Sequence, residues 1–488
     1  MSDLELSSSV TTPSSTPSPS SSPSPSLTPP SLKTIKYLPP WTDPYIIGIA
    51  GTSGSGKTSV ASKIVSSMNQ PWTVLISMDN FYHPLTPEQR NEALSNNFDF
   101  DKPESIDMDA VYQVLKNLKS GKRTKIPVYS FNLHNRIPNE FINIYGARVI
   151  VFEGIYALYD PKITAMMDLK IYVDADLDIC LARRLSRDII NRGRDIDGCI
   201  QQWNRFVKPN ADKFIKPTMR NADVVIPSVS DNSVAVQLLI SHIKTKLIEK
   251  SQEHVKYLKN LTVNYSEKIT LDAVQVLPQT NQINCMLDIL LDKYTCRDDF
   301  VFYFDRLSSL LLNKALDNMP NIIQYKNIET STGIKIENSC YLNYEKVCAV
   351  QIIRSGDCFV KSLKRTIPYI PMGKLLIQSD STTGEPQLHF DSLPRDISTN
   401  YDAIILLDAQ IISGAELIMA IQVLYDNNVQ LTKIKVVVMI ATEIGLRRII
   451  NAFGSELQII VGKLVKHEDL ETNPWARIRF LDSKYFGT

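Results

Sequence analysis

The sequence predicts two successive α/β domains, each built on a mostly parallel β-sheet. Three observations support this prediction: a length of 488 residues, short apolar runs separated by helix-length amphipathic segments, and a polar stretch that divides the chain near residue 250. A single hydrophobic core rarely exceeds roughly 250–300 residues, so the length predicts two cores. Apolar runs this short are typical of buried parallel strands joined by crossover helices.

The apolar runs recur on both sides of the polar stretch. In the first half they cover residues 45–50, 74–76, 149–152, 169–173 and 224–226. In the second half they cover residues 347–353, 375–377, 404–407, 436–440 and 459–461. We therefore predict a disordered Ser/Pro-rich tail over residues 1–43, a first domain over 44–250, a linker over 251–270 and a second domain over 271–488.

The composition is that of an ordinary globular protein, with 43% hydrophobic and 22% charged residues. The formal net charge of +1 gives no broad basic surface, so we expect neither nucleic acid nor a membrane as a partner. Seven cysteines are scattered without paired spacing, which disfavours a zinc site or a disulfide framework and favours a reducing compartment. With no secretory signal and no apolar run of ~20 residues, the expected location is the cytoplasm, with the nucleus as an alternative.

A phosphate-binding loop follows the first apolar run. Residues 51–58 match G-x-x-x-x-G-K-[ST] in full, between a predicted strand and a predicted helix. Glycines let backbone N–H groups close around phosphate oxygens, and the helix N-terminus adds a favourable dipole. Lys57 is expected to reach the β- and γ-phosphates, and Thr58 to offer its hydroxyl to Mg²⁺. The predicted nucleotide-binding residues are Gly51, Thr52, Ser53, Gly54, Ser55, Gly56, Lys57, Thr58 and Ser59.

Two acids follow buried strands of the predicted first sheet. Asp79 comes just after the second apolar run, and Glu153 ends the third. Ligands of parallel sheets bind at the carboxyl ends of the strands, beside the phosphate loop. There Asp79 can accept the proton of an attacking hydroxyl, and Glu153 suits water-mediated coordination of Mg²⁺. The alternative for Asp79 is a helix cap or turn.

Two later segments supply groups that a phosphoryl-transfer site needs. Residues 128–136 mix aromatics with His134 and Arg136, and such side chains can stack on a base and bind its edge. Residues 183–195 are rich in arginine around Gly193, which suggests a hinged lid over the transferring phosphate. Each segment alone is also compatible with an ordinary loop or a solvated helix face.

In order along residues 45–247, these motifs resemble those of the uridine-cytidine kinase family, including the runs at 206–209 and 221–227. The resemblance implies ATP-dependent phosphorylation of the 5′-hydroxyl of uridine or cytidine, with Asp79 as general base and Lys57 on the phosphates. It places Thr58, Asp79 and Glu153 around Mg²⁺. The implied nucleoside-binding residues are Tyr82, Asp101, Tyr129, Phe131, His134, Arg184 and Gln202, and the implied lid arginines are Arg187, Arg192 and Arg194.

The same resemblance implies a homo-oligomer, a tetramer in this family, and leaves GTP open as a second donor. The family usually has Gln where Met78 stands, Asp at Ser130 and Ser at Asn135. None of these differences removes a proposed chemical group, although base preference could change.

From about residue 277 to the end, the chain resembles uracil phosphoribosyltransferase, through residues 354–357, 401–416 and 485–488. Such enzymes bind phosphoribosyl pyrophosphate with a Thr-Gly-Gly-Ser type loop. Here Ala415 and Glu416 stand in the equivalent loop, Gln378 stands where an arginine is expected, and residues 477–480 replace a glycine-rich uracil-binding segment. We predict a second α/β domain that keeps its fold and lacks activity; the alternative is a bifunctional kinase and uracil phosphoribosyltransferase.

Overall fold

The structure is a computed structural model that describes residues 37–68, 72–95, 97–131, 133–192, 195–228, 233–262 and 273–488. Most of the predicted tail, Arg194 and the last part of the predicted linker lie outside these residues. Tyr37 and Trp41 fall inside the predicted tail but are both 2% exposed. The Tyr37 ring packs against Tyr257, and the Trp41 ring packs against Tyr145. Residues 37–43 are therefore part of the folded structure.

The first sheet is entirely parallel and has the strand order β2-β5-β1-β6-β7. Its strands are β1 (Tyr45–Ala50), β2 (Thr73–Ser77), β5 (Val149–Glu153), β6 (Leu169–Asp174) and β7 (Val224–Pro227). They coincide with the predicted apolar runs. Alternate residues of β1 enter different cores: Ile46 packs on one face of the sheet, and Ile47 and Ile49 pack on the other.

Helices cover both faces of this sheet. They are α1 (Lys57–Met68), α2 (Pro87–Leu94), α3 (Met108–Lys119), α4 (Pro161–Thr164), α5 (Leu177–Arg192), α6 (Ile196–Gln202), α7 (Lys208–Asn210) and α8 (Ser233–Asn260). Helix α3 illustrates how the local sequence determines an element. The Asp107 side chain caps it by accepting a hydrogen bond from the Ala110 N–H, and Val111, Leu115 and Leu118 bury one helical face.

A separate antiparallel hairpin, which we call the substrate-side hairpin, consists of β3 (Thr124–Ser130) and β4 (Asn135–Ile144). It joins neither large sheet. The sequence did not predict it, because residues 135–144 contain no apolar run and are mostly exposed.

The second sheet has seven strands in the order β13-β12-β11-β14-β15-β16-β8, and only the β12–β13 pair is antiparallel. Its strands are β8 (Val274–Val276), β11 (Val347–Ile353), β12 (Met372–Ser379), β13 (Pro386–Ser392), β14 (Ala403–Ile411), β15 (Ile434–Thr442) and β16 (Gln458–Val465). A second small hairpin is formed by β9 (Ile323–Glu329) and β10 (Lys335–Leu342). Strands β14 and β15 are buried along their whole length.

The helices of this half are α9 (Asn281–Leu291), α10 (Arg297–Asp317), α11 (Val360–Thr366), α12 (Ile397–Asn400), α13 (Ala415–Asp426), α14 (Glu443–Phe453) and α15 (Leu481–Phe486). Helix α13 is buried along most of its length against the sheet. Within the described residues, no helix combines the length and apolar character that a membrane crossing requires.

Helix α8 runs from the first half into the predicted linker and ends at Asn260. Its Ser251 and His254 approach charged residues of both halves. The Arg148 guanidinium lies 2.8 Å from the Glu385 carboxylate, and His254 Nδ1 lies 2.8 Å from the other oxygen of the same carboxylate. Residues 251–260 are therefore part of the packed structure.

Candidate active site

The phosphate-binding loop lies between β1 and α1 and has the backbone shape that phosphate requires. Gly54 has a φ of +88°, and a Cβ there would lie 2.4 Å from the carbonyl oxygen of Cys180. Only glycine fits this position. The Ser55 hydroxyl is buried and has no hydrogen-bond partner among the described residues, so it is available to a bound group. The loop therefore fits a phosphate chain.

Lys57 is buried in the first turn of α1, where its ammonium group donates to the Thr52 carbonyl at 3.1 Å. Burial lowers the pKa of Lys57, while the nearby Glu153 and Asp79 carboxylates oppose that shift. The two acids thus lie close enough to act on the lysine of the phosphate loop. This confirms that the ends of β2 and β5 meet beside the loop, as the parallel sheet predicts.

The two carboxylates come from neighbouring strand ends: Glu153 ends β5, and Asp79 lies in the turn that follows β2. Ser77 pairs with Glu153 across β2 and β5, and the Ser77 hydroxyl donates to Glu153 at 2.9 Å. Among the described residues, no group of three or more His, Cys, Asp or Glu side chains could hold a metal ion. Two carboxylates and the Thr58 hydroxyl fit Mg²⁺, which usually retains waters and binds substrate phosphates.

An open cleft is lined in part by the phosphate loop. It brings together twelve residues that the sequence predicted for the site. These are Ser53, Lys57, Thr58, Asp79, Tyr82, Asp101, Tyr129, Phe131, His134, Glu153, Arg184 and Arg187. Gln202 is buried at the end of α6 and does not belong to this lining.

Aromatic side chains form part of the cleft lining. Tyr82 and Tyr129 have ring centroids 5.2 Å apart, and Phe131 packs edge-on against Tyr129. His134 stacks on Phe100 at 5.2 Å with an interplanar angle of 22°. Phe100 was not among the predicted site residues, although it stands beside Asp101 in an aromatic and acidic stretch of the sequence. A flat heterocycle could stack among these rings.

Arg184 joins the phosphate loop to the acceptor side of the cleft. Its guanidinium donates to the Ser53 hydroxyl at 3.0 Å and lies 3.4 Å from Asp101, and both charged side chains are buried. Burial alone would lower the pKa of Arg184, but the carboxylates of Asp101 and Asp188 raise it. The paired carboxylate and guanidinium offer hydrogen-bond acceptors and donors, which suit binding of sugar hydroxyls.

The predicted lid is described only in part. Arg187 lines the cleft and donates to Asp188 at 2.9 Å, with 39% of its side chain exposed. Arg192 is the last residue of α5, and its side chain lies outside the described residues, as does Arg194. Their roles as lid arginines stay predictions.

The second half has a cleft at the equivalent edge of its own sheet, after β14. Gly414 precedes α13 with a φ of +78°, and a Cβ there would lie 2.6 Å from the Gly445 carbonyl oxygen. The loop thus keeps its turn glycine. The Glu416 carboxylate, however, lies 2.7 Å from the Arg479 guanidinium, and the Ser379 hydroxyl donates to it at 3.3 Å.

Glu416 and the replaced segment containing Arg479 both stand out in the sequence, but their contact could not be predicted from it. Arg479 also lies 3.4 Å from the buried Asp408. Burial raises the pKa of Glu416, and Arg479 opposes that shift. An arginine that already faces two carboxylates leaves this cleft poorly suited to a phosphate group.

The first sheet, its phosphate loop and its paired acids define a P-loop phosphotransferase, and the second sheet adds a phosphoribosyltransferase-like half. A sequence model of the phosphoribulokinase/uridine kinase family matches residues 46–235, and one of uracil phosphoribosyltransferase matches residues 276–470. The chain belongs to the uridine kinase family, since its curated relatives match along nearly their whole length.

Three of these relatives indicate how far the similarity extends. The uridine kinase of Saccharomyces cerevisiae is 58% identical over 93% of this chain and 91% of its own. The uridine-cytidine kinase-like 1 protein of Mus musculus is 39% identical over 92% of this chain and 82% of its own. The uridine kinase of Schizosaccharomyces pombe is 39% identical over 86% and 90%. The similarity thus covers both halves.

Proposed function

We propose that this protein transfers the γ-phosphate of ATP to the 5′-hydroxyl of uridine and cytidine, giving UMP and CMP in pyrimidine salvage. One observation supports this most strongly. Lys57 and Asp79 line the same cleft, which also contains residues of the phosphate loop and a group of packed aromatic side chains. A triphosphate and a nucleoside could therefore meet beside an acid that can take the hydroxyl proton.

In the proposed reaction, the 5′-oxygen attacks the γ-phosphorus as Asp79 accepts the hydroxyl proton, and the bond from the γ-phosphorus to the bridging oxygen of ADP breaks. Lys57 and Arg187 neutralise charge on the phosphate oxygens. Mg²⁺, bound by Thr58, Asp79 and Glu153, would supply further neutralisation of the phosphates.

The nucleoside itself is held by the other side chains of the cleft. Asp101 and Arg184 orient the ribose hydroxyls, and His134 binds the edge of the pyrimidine. Tyr82 and Tyr129 exclude water beside the sugar. For Gln202, which is buried and is not part of the cleft lining, contact with the nucleoside stays a prediction.

The alternative, a bifunctional kinase and uracil phosphoribosyltransferase, has less support, because Glu416 faces the arginine that a phosphate would need. We also propose domain limits near residues 44–250 and 271–488, a homotetramer, and a cytoplasmic location.

A coupled assay of ADP release tests the proposal over a panel of nucleosides and small alcohols, with ATP or GTP as the donor. We expect turnover with uridine and cytidine and little with purine nucleosides, pantothenate or ribulose phosphate. Absence of turnover with every pyrimidine nucleoside would contradict the proposal.

A further inference from the structure

The second half contacts the base of the substrate-side hairpin, whose other end lines the cleft. Tyr129, Phe131 and His134 of this hairpin line the cleft. Arg123 precedes β3 directly, and Tyr145 follows β4 directly. The hairpin therefore has cleft-lining side chains at one end and two flanking residues, Arg123 and Tyr145, at the other.

Both flanking residues bind the second half. The Tyr145 hydroxyl donates to the Asp426 carboxylate at 2.7 Å, and the indole N–H of Trp41 donates to the same oxygen at 3.1 Å. Arg123 donates to the Asn427 side chain at 3.2 Å and lies over the Tyr145 ring, 5.1 Å from its centroid. We call Asp426 and Asn427 the hairpin clamp.

The hairpin needs such support, because two strands alone are only marginally stable in water. The middle of β4 is open to solvent: Phe141 and Ile142 are 49% and 48% exposed. Near the cleft, Arg136 donates to the carbonyl oxygens of Phe81 and Tyr82. The hairpin is thus held near the cleft by the first half. At its base, Ile126 and Ile144 pack in the core of the first half, and Tyr145 and Arg123 contact the second half.

Asp426 occupies a position that is unfavourable for an acid in isolation. It is the last residue of α13, where the helix dipole disfavours negative charge. Burial raises its pKa, and the hydrogen bonds from Tyr145, Gln422 and Trp41 oppose that shift. Tyr145 and Trp41 come from the first half, so the negative charge of Asp426 is stabilised mainly when these two side chains contact it.

We propose that the second half positions the nucleoside-binding hairpin of the first half, with Asp426 and Asn427 acting as positioning residues through Tyr145 and Arg123. The inference rests on the proposed function, since it assumes that the cleft binds a pyrimidine nucleoside. It assigns the phosphoribosyltransferase-like half a role that needs no chemistry of its own.

Two mild variants of the full chain test this role. Tyr145→Phe removes the hydroxyl that donates this bond, and Asp426→Asn keeps an acceptor but removes its charge. We expect Tyr145→Phe to raise the uridine KM about tenfold, the change that follows from losing one hydrogen bond to a charged group, and Asp426→Asn to raise it by less. The kcat and the ATP KM should stay within about twofold, because the phosphate loop and Asp79 are untouched. The double variant should be no worse than the more impaired single variant.

Glu385→Gln is the matched control, because it weakens another contact between the halves without touching the hairpin base. It should lower the Tm and leave the uridine KM unchanged. If Tyr145→Phe and Asp426→Asn lower only the Tm as well, the clamp is merely structural and the inference is overturned. A wild-type protein that phosphorylates no pyrimidine nucleoside would instead overturn the proposed function, and with it the premise of the clamp.

Discussion

In each half of the chain, a buried parallel strand is followed by a turn that contains glycine and then by a helix. The charged side chains around the two turns differ. After β1, the loop is followed by the buried cation Lys57, and it contains the buried Ser55 hydroxyl. After β14, the loop is followed by Glu416, which is paired with Arg479. The backbone plan is shared, and the side chains decide whether an anion could bind.

The difference teaches that fold and chemistry depend on different residues. Apolar strands and a turn glycine suffice to build the loop and its helix. Phosphate binding further requires that the N–H groups and a cation face the ligand instead of a resident carboxylate. The second half has the apolar strands and the turn glycine, but its cation faces a resident carboxylate.

The largest predicted effect comes from the acid of the first cleft. Asp79→Asn should lower kcat with uridine by about 10³-fold, because the amide cannot accept the hydroxyl proton. The exposed Asp109→Asn in the first turn of α3 is a control that should keep full activity. Steady-state kinetics with a thermal melt would check both. Near wild-type turnover by a folded Asp79→Asn variant would remove this acid as the base.

The two turn glycines offer a matched pair. Gly54→Ala and Gly414→Ala each add a Cβ that clashes with a carbonyl oxygen, and each forces a left-handed φ costing about 1–2 kcal/mol. Both should lower the Tm. Only Gly54→Ala should also lower kcat/KM for ATP, by about 10²-fold, because it displaces the phosphate loop. Equal losses of kcat/KM for ATP in both variants would contradict the prediction that only the first loop acts in ATP binding.

Restoring the second loop tests whether its charge is the obstacle. In the double variant Ala415→Gly and Glu416→Ser, we expect affinity for phosphoribosyl pyrophosphate to rise about tenfold over wild type, because Arg479 is released. Titration calorimetry measures the change, and adding Arg479→Gln should cancel it. Robust UMP formation from uracil by the wild-type protein would contradict the prediction that this half lacks activity.

The smallest predicted effect is a pH dependence at the contact between the halves. Burial alone would raise the pKa of Glu385, but His254 and Arg148 lower it below the usual 4.5. The stability contributed by this carboxylate is therefore present above about pH 4.5 and lost as the pH falls through the lowered value.

Urea unfolding from pH 3.5 to 7 of the wild type and Glu385→Gln measures that contribution. If the pKa of Glu385 is one unit lower in the folded than in the unfolded protein, the carboxylate contributes about 1.4 kcal/mol to the free energy of unfolding. The variant should lose less stability than the wild type on acidification. Parallel pH profiles would indicate that Glu385 keeps an ordinary pKa.

Much of the first cleft could be predicted because its residues follow strands that pattern alone reveals. Asp79 and Glu153 come after apolar runs, and parallel strands bring their carboxyl ends to one edge. The substrate-side hairpin could not be predicted in the same way. Strand β4 is mostly exposed and contains no apolar run. The contacts that hold the hairpin join Arg136 and Tyr145 to partners that are distant in sequence.

The sequence by itself determined the two α/β halves, the phosphate loop and the acids beside it, because short-range spacing and burial patterns encode them. Only the tertiary structure decided which charges meet: Arg184 with Asp101, Glu416 with Arg479, and Asp426 with Tyr145. These partners lie tens to hundreds of residues apart, so no local pattern links them. Their pairing depends on how buried strands and helices pack, which brings polar groups together where each must find a partner.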